Sequence, residues 1–287
     1  MADDFTLETL RLYVRSMHDS QLILSTWDDT DPAFLTAVRD LGVTLVLSRK
    51  PEFAGTFNIN MQLVSAAAGV ERAVQDGAEW VLKTRTDQRL HAPNVLPFLV
   101  AMAQGFPVGG NTAQHHRIVG VGHGSLKYAP YHVTDQSVFG HAEDMLAYWT
   151  PPLFTDHAPA HWPADLLSIF AKTPIGELCR TASPECYIAS QFLKRMGREQ
   201  DWTLADSWAA FRDHFLFVDY AATDFYWVKT QLGTQRETTL SYDAVSNRHE
   251  MGFLDWMLLY SGQVQPKDAA PFEFVQQQVF NQTVEKP

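Results

Sequence analysis

Short apolar runs alternate with amphipathic segments along the first hundred residues of the chain. Each apolar run has the character of a buried strand, and each amphipathic segment repeats apolar residues at helical spacing. Gly42 and the pair Asp76-Gly77 follow two of these segments and are typical helix stops. The predicted elements are a strand at residues 21–27, a helix at 33–41, a strand at 43–47, a helix at 59–75 and a strand at 79–82. A strand, a helix and a strand in succession imply a parallel pair with a right-handed crossover.

The second half of the chain mixes apolar runs with glycine-rich stretches. Residues 111–130 combine glycines and histidines and predict a flexible, partly extended loop, and an extended run follows at residues 131–140. The order Ser183, Pro184, Glu185 favours a helix start, because Ser caps, Pro is tolerated at the first position and Glu suits the positive end of the dipole. Further helices are predicted at residues 7–17, 93–102, 143–149, 164–171 and 208–217, before a polar, loose tail.

One stretch joins a buried strand to a cluster of charges. Apolar residues 80–82 favour a pleated, packed backbone, and the charged residues that follow are Lys83, Arg85, Asp87 and Arg89. Because side chains alternate between the faces of a strand, this spacing predicts that all of them point the same way. At the carboxyl end of a strand in an open α/β sheet, such a cluster suits a phosphate-bearing ligand, with Asp87 holding a divalent cation. The alternative is a solvated edge strand with ordinary ion pairs.

Composition and charge limit the classes of partner. The chain has 287 residues, 46% hydrophobic and 12% aromatic, which predicts a globular fold with a sizeable core. The formal net charge of −11 argues against non-specific binding to nucleic acid or to an anionic membrane surface. The start of the chain lacks the features of a secretory signal, and no stretch approaches the ~20 apolar residues of a transmembrane segment. We therefore expect a cytoplasmic protein with Cys179 and Cys186 as free thiols.

Common catalytic motifs are absent or incomplete. The run Gly120-Val121-Gly122-His123-Gly124 is not a dinucleotide loop, because Ser125 stands where the last glycine should be. The adjacent pair His115-His116 has no HExxH or CxxC motif to support a metal site, and no GxSxG indicates a serine hydrolase. Glu185 also has a structural explanation as an acid in the first turn of a helix, and Asp135 as an exposed strand residue. Their roles stay open on spacing alone.

Several ordered motifs nevertheless resemble one family. They are Leu24-Ser25-Thr26-Trp27, Asn58-Ile59-Asn60-Met61-Gln62, Val81-Leu82-Lys83-Thr84-Arg85-Thr86-Asp87-Gln88-Arg89, Asp135 with Phe139-Gly140 and Asp144-Met145, and Pro184-Glu185. Together they are similar to the WavE lipopolysaccharide-synthesis family of bacterial glycosyltransferases over roughly residues 20 to 220. The stretch from Lys83 to Asp87 is also similar to the GT-A strand end, where a lysine precedes a DxD motif. Arg85 here replaces the first aspartate, and Asp87 matches the aspartate that binds the metal.

The resemblance implies a GT-A-like fold, which is an α/β fold with one doubly wound, mostly parallel central sheet flanked by helices and a smaller acceptor-side subdomain. Residues 1–110 would form the half that binds the nucleotide-sugar donor. Residues 111–287 would form the acceptor-side half, with the catalytic helix and a carboxyl-terminal extension, in one compact unit.

The same resemblance assigns roles to individual residues. The donor site would comprise Ser25, Thr26 and Trp27 under the base and ribose, Asn60 and Gln62, and Lys83, Arg85, Asp87 and Arg89 near the phosphates. A divalent cation, Mn²⁺ or Mg²⁺, would bind Asp87, with His214 as a further ligand. Glu185 would be the base that deprotonates the acceptor, because Pro184-Glu185 matches the acid at a helix start in these enzymes. Asp144 and Asp135 are the alternatives.

The function implied is transfer of a sugar from a nucleotide-sugar donor to a hydroxyl of a glycan, lipid-linked or protein acceptor in bacterial surface-glycan synthesis. The enzyme would be cytoplasmic or peripheral at the inner membrane. A non-catalytic sugar-nucleotide binding or assembly subunit is one alternative, since the first aspartate of the DxD motif is replaced. A metal-dependent phosphohydrolase is the other.

Overall fold

A computed structural model of the protein describes residues 4–109, 112–163, 165–181, 183–228 and 250–279. Within these ranges the helices and strands are α1 (Asp4–Ser16), β1 (Ile23–Trp27), α2 (Pro32–Asp40), β2 (Thr44–Ser48), α3 (Ile59–Gln75), β3 (Trp80–Lys83), β4 (Gln88–Leu90), α4 (Val95–Gly105), β5 (Ile118–Val121), β6 (Ser137–His141), α5 (Ala142–Trp149), α6 (Leu166–Lys172), α7 (Ile175–Thr181), α8 (Pro184–Arg195), α9 (Leu204–His214), β7 (Phe215–Val218), β8 (Phe225–Trp227) and α10 (Phe253–Tyr260). Short 3-10 helical segments at Thr56–Asn58, Tyr220–Thr223 and Pro266–Gln277 connect or follow them.

Local sequence signals position most of these elements. Asp31 caps α2 by accepting a hydrogen bond from the backbone of Ala33, and Gly42 ends that helix with a positive φ of 77°. Ser183 caps α8 in the same way by accepting from the backbone of Cys186, with Pro184 at the first helical position. The predicted start of α8 is thereby confirmed.

The strands form a mixed arrangement rather than one parallel sheet. β1 and β2 pair in parallel, as predicted, but they form a separate two-stranded sheet. A four-stranded sheet has the order β3-β6-β5-β7, in which β6 is antiparallel to β3 and β5, and β7 is parallel to β5. β4 and β8 form a third, antiparallel pair. The doubly wound, mostly parallel central sheet is therefore not confirmed, and β3 lies at the end of its sheet rather than in the centre.

The predictions for two segments were wrong, because each segment contains a buried strand that the local sequence pattern does not indicate. Residues 111–130 were expected to be a loop, but they contain β5, whose residues are all buried in the middle of the sheet. Residues 208–217 were expected to be helical throughout, but α9 ends at His214 and the chain continues as the buried strand β7. An apolar run buried on both faces has no alternation that would separate strand from helix.

The two predicted halves of the chain share the four-stranded sheet, because β3 from the first half pairs with β6 from the second. The predicted boundary itself, between residues 110 and 111, lies outside the described residues. Helices α3, α5 and α8 pack in succession, with α3 and α5 against β3, while α9 and α10 contact β7. The tail is not loose where it is described, since the segment Pro266–Gln277 packs on α9 and buries Ala269 and Val275.

The sheet has two ends that matter for the site. Lys83 pairs with Val138, and Val121 pairs with both Ser137 and Val218. The carboxyl ends of β3, β5 and β7 therefore meet the amino end of β6, and we call this the Lys83 edge. The opposite end of the same strands, where α9 runs into β7 at His214, is called the His214 edge.

Candidate functional site

Lys83 is the last residue of β3, and its ammonium group reaches the loop before β6. Nζ donates to the carbonyl oxygens of Asp135, at 2.5 Å, and Gln136, at 3.3 Å. The same nitrogen lies 4.5 Å from the ring centroid of Trp149. Burial lowers the pKa of Lys83 to about 7, although the Asp135 carboxylate acts in the opposite direction. Lys83 is thus a cation whose charge depends on pH near neutrality.

Arg85 and Asp87 form an ion pair in the turn that follows β3. The Arg85 Nε donates to Asp87 Oδ1 at 3.1 Å, and the Trp227 indole nitrogen donates to Oδ2 at 3.2 Å. Burial by itself would lower the pKa of the Arg85 guanidinium, but Asp87, Asp135 and Glu185 together raise it. Arg85 is therefore a permanent positive charge that faces several carboxylates.

Glu185 and Asp135 approach each other across the amino ends of α8 and β6. Glu185 Oε2 accepts a 2.7 Å hydrogen bond from the Ser183 hydroxyl and lies 3.8 Å from His132 Nε2. Burial raises the pKa of Glu185, and the like charge of Asp135 raises it further, while His132 acts in the opposite direction. The structure thereby brings Glu185, Asp135, Lys83, Arg85 and Asp87 into one charged cluster at the Lys83 edge.

Two aromatic residues of α5 form the buried floor of this cluster. Tyr148 and Trp149 are fully buried, and within the described residues neither the Tyr148 hydroxyl nor the Trp149 indole nitrogen has a hydrogen-bond partner. Burial, reinforced by Asp135 and Glu185, raises the pKa of Tyr148 well above its usual range. Unsatisfied buried polar groups are uncommon in folded proteins and often accompany functional sites.

The first turns of α3 support the cluster from a neighbouring helix. The Gln62 amide donates to the Asp135 carbonyl at 3.2 Å, so it helps to hold the same loop as Lys83. Asn60 instead fixes two loops, since its amide donates to the carbonyls of Phe53 and Phe154 and accepts from the Phe154 backbone. Asn60 also lines a surface pocket of about 520 Å³, together with Pro51, Glu52, Phe53, Leu153, Phe154, Thr155 and His157. None of the residues of the charged cluster lines this pocket.

The predicted residues of β1 lie on the separate two-stranded sheet, and β1 packs against α3. Ser25 faces α3, where the Ser65 hydroxyl donates to its carbonyl oxygen at 3.3 Å. The Thr26 hydroxyl lies 3.0 Å from that of Thr30, and Trp27 ends the strand. Their contact with a donor stays a prediction.

Arg89 does not join the cluster. The chain turns after Lys83, so Arg89 lies on β4, and its guanidinium donates to Thr9 Oγ1 at 2.8 Å and to the Phe5 carbonyl at 3.1 Å. It also lies 3.9 Å from the centroid of the Phe5 ring. The expectation that all four charges point the same way is wrong, because β3 ends at Lys83 and the period of two is interrupted.

Two further predicted residues lie at the His214 edge. The Asp144 carboxylate accepts hydrogen bonds from the backbone nitrogens of His115, at 3.0 Å, and His116, at 2.8 Å. His214 Nδ1 lies 2.8 Å from the Gln114 amide oxygen, and burial lowers the pKa of His214 to about 4. The strand β6 separates this edge from Asp135 by roughly 17 Å, at about 3.3 Å for each strand residue. The structure therefore does not bring Asp144 or His214 together with Asp87.

The residues at the Lys83 edge do not fit the divalent cation that the resemblance implies. Both carboxylate oxygens of Asp87 already accept hydrogen bonds, and one donor is the Arg85 guanidinium. Within the ranges that the structure describes, no group of three or more His, Cys, Asp or Glu side chains is arranged to hold a metal ion. A divalent cation prefers several oxygen ligands around it. Here the motif Arg85-Thr86-Asp87 offers one carboxylate, and the Arg85 guanidinium already contacts it.

Sequence reasoning missed three contributors to the cluster. His132 lies only three residues before Asp135 in the same extended run, so its position was a usable signal. Its Nδ1 is 2.8 Å from the Gly124 carbonyl oxygen, which can only accept, so the ring directs Nε2 towards Glu185. Tyr148 and Trp149 gave no such signal, because aromatic residues on an amphipathic helix are typical of core packing.

The mixed α/β fold and the charged cluster define an α/β protein with a candidate site for an anionic ligand at a sheet edge. The chain belongs to the WavE lipopolysaccharide synthesis family, whose model matches residues 4–286. The match extends well beyond the segment that the motifs indicated, and it assigns the chain to lipopolysaccharide synthesis. No curated protein and no solved structure matches the chain. Within the described residues, no helix has the length and apolar character required to cross a bilayer.

Proposed function

We propose that the protein is a glycosyltransferase that moves a sugar from a nucleotide-sugar donor to a hydroxyl group during lipopolysaccharide synthesis. The observation that carries this proposal is the convergence of two cations, Lys83 and Arg85, with the carboxyl groups of Asp135 and Glu185 at one edge of the sheet. Family membership supports the same pathway.

The cations suit the donor half of the reaction. When the bond between the anomeric carbon and the diphosphate breaks, the electron pair leaves on a phosphate oxygen, and nearby cations stabilise that charge. Lys83 and Arg85 are close enough to interact electrostatically with each other. Arginine is suited to bidentate contacts with phosphate oxygens.

Glu185 suits the acceptor half. Its Oε2 is held by Ser183, and 26% of the side chain is exposed, so that an acceptor hydroxyl can approach the carboxylate. A raised pKa strengthens a carboxylate as a base, because the best catalytic pKa lies near the working pH. In this scheme Glu185 takes the hydroxyl proton as the new bond to the anomeric carbon forms.

The test is sugar transfer by purified protein, after a thermal-shift panel of nucleotide sugars has identified the donor. We expect Glu185→Gln to lower kcat by about 10²-fold or more while donor affinity changes little, the usual scale for a general base. Glu143→Gln is the matched control, since Glu143 is also an acid in the first turn of a helix but lies on α5 beside the His214 edge.

Other outcomes would redirect the proposal. Full transfer by Glu185→Gln would move the role of base to Asp135 or to a mechanism that needs no base. Donor binding without transfer or hydrolysis would favour the assembly subunit. Release of inorganic phosphate from the nucleotide would favour the phosphohydrolase.

A further inference from the structure

The sequence Arg85-Thr86-Asp87 occupies the position where the resemblance implies a cation-binding pair of aspartates. The structure shows which contacts Arg85 makes in place of the first aspartate. The Arg85 Nε is bonded to Asp87, which fixes the direction of the guanidinium. Its two terminal nitrogens make no hydrogen bond within the described residues, and about a third of the side chain is exposed, at 34%. Donors that are fixed in place, charged and unused are suited to an incoming anion.

The surroundings of Arg85 match those of a bound cation. Asp87, Asp135 and Glu185 all interact favourably with the guanidinium, and Lys83 is close enough to interact with it electrostatically. A divalent cation in the same place would be held by carboxylates and would bridge them to phosphate oxygens. A guanidinium can make the same link with its forked N–H groups, one directed to the carboxylate and the others to the phosphate.

We propose that the Arg85 guanidinium, anchored by Asp87, takes the place of the divalent cation, so that the donor diphosphate binds with Arg85 and Lys83 and needs no metal. This inference rests on the proposed function, because it concerns the donor site of the same reaction. When the bond between the sugar and the diphosphate breaks, the electron pair stays on the leaving phosphate oxygen, which accepts hydrogen bonds from Arg85. No proton leaves the guanidinium.

The experiment measures binding rather than activity. Inorganic pyrophosphate is titrated into the full chain by calorimetry, once in EDTA and once in excess Mg²⁺, so that neither the nucleobase nor turnover affects the result. We expect binding in EDTA and no tighter binding in Mg²⁺, since a cation that has no site gives no gain and only competes for free pyrophosphate. Arg85→Gln should weaken binding in both buffers by about 10- to 100-fold, the scale of one hydrogen-bonded charge pair.

The Arg85→Asp variant sharpens the test, because it restores an Asp-x-Asp sequence. We expect it to lose pyrophosphate binding in EDTA and to recover binding in Mg²⁺, which neither the wild type nor Arg85→Gln should show. Arg212→Gln is the matched control, because Arg212 also pairs with an adjacent aspartate, Asp213, at 2.7 Å but lies at the His214 edge. Thermal melting of each variant shows whether it folds. If Arg85→Asp does not fold, the binding measured with Arg85→Gln decides the test.

The outcomes separate this inference from the proposed function. Pyrophosphate that binds the wild type only in Mg²⁺ would overturn the role of Arg85 and leave the donor site intact. Pyrophosphate that binds in neither buffer would overturn both the inference and the donor site. Unchanged binding by Arg85→Gln would overturn the inference and shift the phosphate contact to Lys83 alone.

Discussion

Both edges of the four-stranded sheet hold buried charged side chains, but the partners of those side chains differ. At the His214 edge the partners are mostly backbone groups. Asp144 accepts from two backbone nitrogens, and Arg117 donates to the carbonyls of Phe106, at 3.0 Å, Pro107, at 3.1 Å, and Phe215, at 3.3 Å. At the Lys83 edge Lys83 also donates to backbone carbonyls, but Arg85 pairs with the Asp87 carboxylate and Glu185 is placed beside the like charge of Asp135.

The difference indicates two uses of buried charge. A charge whose hydrogen bonds all go to the backbone stabilises the loops around it, and removing it leaves buried groups unpaired. A charge that faces a like charge costs stability, and such arrangements are enriched at functional sites. We therefore expect mutations at the two edges to have opposite consequences.

The largest effect on stability should come from Asp144→Ala at the His214 edge. The change leaves the backbone nitrogens of His115 and His116 without their acceptor, and hydrogen bonds to a charged group contribute about 1.5–3 kcal/mol each. We expect the free energy of unfolding, measured in urea, to fall by about 3 kcal/mol. Transfer by the folded fraction should stay near that of the wild type.

A loss of transfer without a loss of stability in Asp144→Ala would make Asp144 part of the chemistry and would remove the distinction between the edges. Glu143→Gln provides the control for stability. Glu143 is exposed and forms an ion pair with His115 at 2.8 Å, so its change should cost less than about 1 kcal/mol.

A smaller effect concerns the pH dependence of donor binding through Lys83. With a pKa of about 7, Lys83 loses its proton as the pH rises above neutrality, and an incoming diphosphate must restore that proton. Affinity for the nucleotide sugar should be constant below pH 7 and should fall by up to about tenfold per pH unit above it. Calorimetry at pH 8 in buffers of different ionisation enthalpy should show proton uptake.

Lys83→Arg is the matched variant for that measurement, because it keeps a positive charge over the whole range. Proton uptake should disappear in this variant. Uptake that persists in Lys83→Arg would assign the titration to another group at the Lys83 edge, such as Glu185.

The smallest effect is a gain of stability in Glu185→Gln. Because its pKa is raised, Glu185 keeps its proton in the folded chain to a higher pH than in the unfolded chain. Its stabilising contribution is therefore fully present at low pH and is lost as the pH rises through the folded pKa. A glutamine carries no charge at any pH, so at pH 7 we expect the free energy of unfolding of Glu185→Gln to rise by on the order of 1 kcal/mol. A loss of stability would mean that the bond from Ser183 and the helix dipole outweigh the burial of the charge.

Much of the fold could be predicted from local patterns. The apolar spacing and stop signals of α3 predicted its bounds, and Ser183 with Pro184 predicted the start of α8. The motifs also predicted most of the cluster at the Lys83 edge, because Lys83, Arg85 and Asp87 are close in sequence and come after a strand.

The remaining features depend on contacts between distant residues. No local pattern shows that β6 runs antiparallel to β3, since both directions accept the same buried apolar side chains. The same holds for Asp144 and His214, whose sequence positions suited a site but whose strands and helices end at the opposite edge of the sheet.

The sequence by itself determined the α/β class, the order of most elements, the membership of the family and the replacement of a motif aspartate by Arg85. These features are encoded in neighbouring residues, where spacing and residue type suffice. Only the tertiary structure decided that Glu185 and His132 join Arg85, that Arg89 turns away towards α1, and that Asp87 is held by a guanidinium. Strand direction and register fix those contacts, and they depend on the packing of segments that are far apart in the chain.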